Sequence, residues 1–314
     1  MKQAEQPYME QFKEWLTIKG FTSNTISGLI KTVNYFLNWI AEQNITVENV
    51  SYNDVLAYIQ YKKKKGNQPS TLFIIIKALN HFYRFLQSEH QFNENPASNV
   101  QIKGIKRRTL QEILTPLELE NIYKNFNAEK RIYEKEKRVP PQAKNELARK
   151  RNKIILGLII YQGMRTEELG RLELQDLQLR EGKINIQGSN RTEGRLMKLE
   201  AQQVYDLMDY THVIRKQILA ATHKQSNKVF ISVGASLDFR SIMQKFVKSV
   251  QAINKKVKDI KHIRTSVITN WLKVHNLRKA QYMAGHRYVS STEAYKVNNI
   301  EELQDDIKKY HPIG

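Results

Sequence analysis

The chain has 314 residues, enough for two ordinary domains, and 40% of them are hydrophobic, enough to give each a core. Its 51 Lys and Arg stand against 31 Asp and Glu, and the self-repulsion of a +20 charge is relieved by a polyanion: nucleic acid leads, an anionic membrane surface is the rival. No cysteine, H-E-x-x-H spacing, ATP-binding phosphate loop, secretory stretch in MKQAEQPYME or apolar run near the ~18 residues of a spanning helix is present, which argues against thiol, metal, ATP and membrane chemistry and for a cytoplasmic protein.

Residues 1–100 read as helices punctuated by turn signals. Phe12, Trp15, Leu16 and Ile18 recur at helical spacing between Tyr8 and Lys19. After Gly20, Thr22 or Ser23 caps a second helix with Ile26, Leu29, Ile30, Val33, Phe36, Leu37 and Ile40 as its apolar residues. A third starts near Ser51 and runs through Val55, Leu56, Tyr58 and Ile59 into Lys62, Lys63, Lys64 and Lys65, where Gly66 ends it. Pro69-Ser70-Thr71 opens a fourth, with Leu72, Ile75, Ile76, Leu79, Phe82, Tyr83 and Phe85. Four helices with short connections describe a compact bundle.

Periodicity fades from Asn93 to Val100, and residues 101–111 read as a basic interdomain linker containing Lys103, Lys106, Arg107 and Arg108. A solvated loop is the common fate of such a run; the overall charge sets phosphate contact beside it, here and for Lys62 to Lys65. The second domain, 112–314, opens at Thr115-Pro116-Leu117-Glu118, which spells an N-cap, a first-position proline and a capping box. A charged stretch from Glu129, broken by Pro140-Pro141, reads as an irregular connection. Asn145 to Gln162 is helical, with Ile154, Ile155, Leu158 and Ile159 as its stripe. Gly182 to Gly188 alternates as a strand, Asn190 to Gly194 supplies a turn, and Arg195 to Leu199 is a returning strand. Helical patterns resume from Ala201, so the predicted class is mainly α with one small antiparallel sheet.

Three segments of this second domain suit phosphodiester chemistry. In Gly163-Met164-Arg165-Thr166-Glu167-Glu168-Leu169, Arg165 and Glu168 are three apart, so a carboxylate can orient a guanidinium that grips two phosphate oxygens; surface ion pairs also have this spacing. In Lys261-His262-Ile263-Arg264-Thr265, Lys261 and Arg264 share a helical face, whereas His262 lies about 200° round the helix from Arg264 and points elsewhere. The third segment runs from Ala284-Gly285-His286 to Tyr295, nine residues beyond the histidine. Each has an ordinary structural reading when taken alone.

In this order the segments resemble the phage-integrase, or tyrosine-recombinase, family, whose pattern is G-x-R-x-x-E-L, then H-x-L-R-H, then L-G-H with a tyrosine nine residues after the histidine. Gly163-x-Arg165-x-x-Glu168-Leu169, Asp176, Gly285-His286, Ser291-Thr292 and Tyr295 match, and the likeness spans the chain. It implies a helical SAM-like core-binding domain before a catalytic domain, and site-specific recombination of double-stranded DNA, as integration or excision, through a 3′-phosphotyrosyl bond formed by Tyr295. Arg165 and Arg264 would neutralise the non-bridging oxygens, with Glu168 in support, and Lys261 and His286 would complete the cage. Because the covalent link conserves the bond energy, the resemblance implies no cofactor. It also implies four protomers exchanging strands through a Holliday junction, leaves room for accessory DNA-bending proteins, and leaves open whether the segment after Tyr295 packs on its own chain or a neighbour.

Two departures stand out. Lys261 occupies a position usually held by His, which keeps a cation but not a general base. The family's hairpin lysine, which protonates the departing 5′-oxygen, is absent after the hairpin glycine, where Ser189 stands; Arg191 and Lys198 are the candidate substitutes, and arginine is a poor proton donor. Two alternatives follow: a DNA-binding or architectural protein on a recombinase scaffold with impaired catalysis, and activity like that of a type IB topoisomerase. Tyr288 and Tyr310 compete with Tyr295 for the nucleophile's role on residue type alone; the interval from His286 favours Tyr295.

Overall fold

The computed structural model describes residues 6–105, 112–126, 142–190, 192–234 and 239–296. The chain divides into two compact units, Met1–Thr109 and Leu110–Gly314. Among the described residues, no helix is long and apolar enough to cross a membrane.

The first unit holds four helices: α1 (Gln6–Ile18), α2 (Ser23–Glu42), α3 (Tyr52–Lys64) and α4 (Pro69–His90). Each begins where local chemistry favours it. Ser51 and Asp54 form a reciprocal capping box at the start of α3, and Pro69, whose missing N–H costs nothing in a first turn, starts α4. The apolar faces meet in one core that includes Phe12, Leu16, Phe36, Ile40, Tyr58, Leu79, Phe82 and Phe85. At the end of α3 the lysine run divides in role. Lys62 holds its ammonium over the rings of Tyr58 and Tyr35, at 5.1 and 5.3 Å, while Lys63 and Lys64 are exposed. Lys65 lies over Tyr61 at 4.5 Å, and Lys103 is exposed. Lys106, Arg107 and Arg108 lie outside the described residues.

The second unit is helical around a small sheet. Helix α5 (Pro116–Asn125) starts at the Thr115–Glu118 capping box that the sequence predicts. Helices α6 (Gln142–Gln162) and α7 (Thr166–Arg171) are followed by three antiparallel strands in the order β1 (Leu177–Gln178), β2 (Lys183–Ile186), β3 (Arg195–Lys198). In the β2–β3 register, Ile186 faces Arg195 and Lys183 faces Lys198. The two-residue β1 is absent from the sequence reading, since two residues cannot display an alternation. Then come α8 (Ala201–Asp209), a π-helical turn over Tyr210–Ile214, α9 (Arg215–Thr222), α10 (Phe239–Ile253), α11 (Ile260–Val274), α12 (Leu277–Ala284) and α13 (Val289–Glu293).

Helix α11 is buried along most of its length: every residue from His262 to Thr269 is buried. One polar stripe on it, at positions 262, 266 and 270, fastens the chain just beyond the basic linker. His262 Nε2 bonds to the Glu112 carbonyl at 2.6 Å, Ser266 Oγ accepts from the Leu114 amide at 3.0 Å, and Asn270 donates to the Leu114 carbonyl at 2.9 Å. His262 thus faces away from the reacting segments, as its angular offset from Arg264 requires. Substituting Asn270 by Ala removes one of these bonds and should cost about 1 kcal/mol in urea unfolding.

Candidate active site

The site begins at a reversal of the chain after α6. Gly163 has φ +57°, and a Cβ there would sit 2.6 Å from the Trp271 ring, so only glycine fits both the conformation and the space. The reversal makes Arg165 the N-cap of α7, not a residue within it. Its amide donates to Glu168 Oε2 at 2.8 Å and its Nη1 approaches Oε1 at 3.3 Å. The three-residue spacing read from the sequence is therefore a capping bond combined with an ion pair.

Glu168 has a second, deeper partner. Arg195, at the start of β3, grips it in a fork, Nη1 to Oε1 at 2.9 Å and Nη2 to Oε2 at 3.0 Å, with both side chains essentially out of solvent. Burial alone would raise the Glu168 pKa. The Arg195 hydrogen bonds and charge, the Arg165 amide and the charge of Arg264 outweigh it and hold the carboxyl below its usual range. Arg195 is missing from the sequence-derived site. Its signal is the strand alternation: Arg195 and Met197 share the buried face of β3, and a guanidinium facing a core needs a carboxylate. The same alternation puts Lys198 on the exposed face, opposite to Arg195, so the structure does not bring Lys198 to this cluster. Arg191, the other hairpin candidate, lies outside the described residues.

Arg264 approaches from α11, buried, donating through Nη2 to the Ala284 carbonyl at 2.6 Å. Its Nη1 is buried without a hydrogen-bond partner among the described residues. Burial, and then the charge of Arg165, lower its pKa from the ordinary arginine value; Glu168 and Tyr295 act in the opposite sense. Lys261, on the first turn of the same helix, is exposed where Arg264 is buried. Arg165, Arg195 and Arg264 thus surround Glu168 as three guanidiniums to one carboxylate.

The Gly-His step closes the cluster. Gly285 caps α12 at φ +61°; a Cβ on it would strike the Arg195 guanidinium and come within 3.1 Å of the Glu193 carbonyl. Buried His286 bonds through Nδ1 to Thr292 Oγ1 at 2.8 Å, and its ring stacks on Tyr295 with centroids 5.6 Å apart and planes 21° from parallel. The Thr292 carbonyl, on α13, also accepts from the Tyr295 amide at 3.0 Å, so one residue holds the His286 ring by its hydroxyl and the Tyr295 backbone by its main chain. Tyr295 is partly exposed, Tyr288 is 67% exposed, and Tyr310 lies outside the described residues. Burial, then Arg264, Arg165 and Arg195, push the His286 pKa down to about 3, leaving the imidazole neutral. Because an unfolded histidine takes a proton near its ordinary 6.5, the unfolded state binds more protons than the folded one between about pH 6.5 and 3, and stability falls as pH drops through that window. A His286→Gln variant should show a shallower acid slope there in chemical denaturation. Replacing Glu168 by Gln, which leaves the Arg195 charge buried and unpaired, should cost about 3–5 kcal/mol in the same measurement at neutral pH.

Comparison with known proteins adds to this geometry. A profile described as "Phage integrase family" matches residues 114–302, and one described as "Phage integrase, N-terminal SAM-like domain" matches residues 9–90. The chain is 23% identical to tyrosine recombinase XerD of Shewanella oneidensis, over 98% of this chain and 97% of the relative. It is 26% identical to tyrosine recombinase XerC of Bacillus pumilus, over 98% and 97%. Among solved structures, a lambda integrase tetramer bound to a Holliday junction shares the fold, with a TM-score of 0.62 at 12% identity over 92% of this chain and 76% of that one. With the larger profile covering more than half of its length, the chain belongs to the phage integrase family of tyrosine recombinases.

Proposed function

We propose that this protein cuts and rejoins double-stranded DNA at specific sites through Tyr295. The observation that carries the reading is the excess of buried guanidinium beside that tyrosine, above all the Arg264 Nη1 buried without a partner among the described residues. A phosphodiester supplies what such a cluster needs: two non-bridging oxygens that share a negative charge and accept forked hydrogen bonds.

In this mechanism the Tyr295 oxygen attacks phosphorus and gives up its proton. The phosphorus–O5′ bond breaks, leaving a 3′-phosphotyrosyl link and a 5′-hydroxyl. A neutral phenol is a weak nucleophile, so its attack depends on loss of the proton as the bond to phosphorus forms. Arg165 and Arg264 hold the non-bridging oxygens, Glu168 orients Arg165, and Lys261 adds a cation to the phosphate. His286, neutral and fixed at Nδ1, offers Nε2 to the phosphate or to the phenolic proton. The hairpin glycine is followed by Ser189 and not by a lysine, and an arginine such as Arg191 holds its proton too tightly to donate it, so departure of the 5′-oxygen is weakly assisted. Rejoining is the reverse attack by a 5′-hydroxyl, which needs neither ATP nor metal. Lys63, Lys64, Lys65 and Lys103, with Lys106, Arg107 and Arg108, contact the DNA backbone, and four protomers on two duplexes exchange strands, as the tetrameric assembly of the lambda integrase structure supports.

A nicked suicide duplex that traps the covalent intermediate is the test. Wild-type protein should form the adduct and Tyr295→Phe should form none; an adduct surviving in that variant would overturn the assignment. Arg264→Ala should lower the single-turnover rate about 10²–10³-fold. DNA affinity should fall steeply with salt, and replacing Lys63, Lys64 or Lys65 by Ala should reduce the log–log slope by about 0.9 for each phosphate released.

A further inference from the structure

Strand β3 is an outer strand of the small sheet, so the amides and carbonyls that face away from β2 need partners from elsewhere. At Leu196 a single side chain supplies both. The Tyr282 hydroxyl accepts from the Leu196 amide at 3.1 Å and donates to the Leu196 carbonyl at 3.3 Å, standing in for one residue of a fourth strand. Two residues on, the Lys198 carbonyl accepts from Gln162 Nε2 at 2.8 Å.

Tyr282 lies in the last turn of α12, and its own carbonyl accepts from the Gly285 amide at 2.9 Å. Between these two residues is Ala284, whose carbonyl receives Arg264 Nη2. On the strand side, Leu196 follows Arg195, whose guanidinium fills the space above Gly285 and grips Glu168. The hydroxyl therefore joins the end of α12 to β3 where the Arg264 and Arg195 side chains are each fixed. Its worth to stability is small: Tyr282 is 52% exposed, so water can take its place at Leu196.

We propose that Tyr282 is a positioning residue, which sets the Ala284 carbonyl, and through it Arg264, against the phosphate; this rests on the cleavage reaction proposed above. Arg264 is held at Nη2 and keeps Nη1 for a non-bridging oxygen, so a shift of the carbonyl turns the whole planar guanidinium. A preorganised donor stabilises charge only where that charge develops, and a misplacement of about 1 Å is felt in the rate. DNA binding is spread over many contacts and does not register it.

The Tyr282→Phe variant keeps the ring and loses the hydroxyl. In single-turnover cleavage of the nicked suicide duplex it should be about three- to tenfold slower than wild type once DNA is bound. Its DNA affinity should be that of wild type, and its urea midpoint nearly so. Arg264→Lys separates positioning from general loosening, because lysine keeps a cation but cannot hold the Ala284 carbonyl and a phosphate oxygen in one fork. In that background, removing the hydroxyl should change the rate less than about twofold. A wild-type rate for Tyr282→Phe would overturn the proposal. Equal slowing in both backgrounds would do the same, by making the tie a general support of the sheet. Weaker DNA binding with an unchanged rate in the bound complex would make the hydroxyl a DNA contact, again overturning it. Wild-type protein that formed no adduct would instead remove the recombination reading itself.

Discussion

The buried pairing of Glu168 with Arg195 is the constraint on which the site depends. A carboxylate and a guanidinium with essentially no solvent exposure must satisfy each other, and the fork they form spans two elements that the sequence separates by 27 positions. Glu168 also caps the helix that Arg165 begins, so the pair fixes Arg165 at the mouth of the cluster. The first strand residue of the hairpin's return is locked by the same contact. A single ion pair therefore sets the positions of a phosphate-binding candidate and of the β3 strand together. Buried ion pairs are weak evidence of net stability; the consequence here is geometric.

Much of the architecture is legible in local chemistry. Ser51 with Asp54, and Thr115-Pro116 with Glu118, mark helix starts because their side chains satisfy amides that the first turn leaves unpaired, and the structure shows both boxes. The mainly helical class with one small antiparallel sheet also holds. Less visible are features that depend on neighbours distant in sequence. Strand β1 is too short for a period, and the π-helical turn at Tyr210–Ile214 has no compositional mark.

The site shows the same division. Arg165, Arg264, His286 and Tyr295 come together from the start of α7, from α11 and from the segment around α13, and the likeness of their order and spacing to a family pattern is what singles them out. Arg195 is hidden from such a reading because the buried face of a strand is known only once its packing is known. Lys198 is suggested by its proximity along the chain, and strand alternation excludes it. Thr292 can be matched as part of a motif, but its work, fixing the His286 ring through its hydroxyl, follows only from the fold.

Gly285 carries a consequence of a different kind. Its left-handed backbone ends α12, and the space above its Cα is filled by the Arg195 guanidinium. A side chain at 285 would be tolerated only if position 195 gave up its bulk, and a smaller residue at 195 would strip Glu168 of its fork. A residue that looks like nothing more than a helix terminator is thus held to glycine by its backbone, by the Glu193 carbonyl and by a guanidinium 90 positions earlier in the chain.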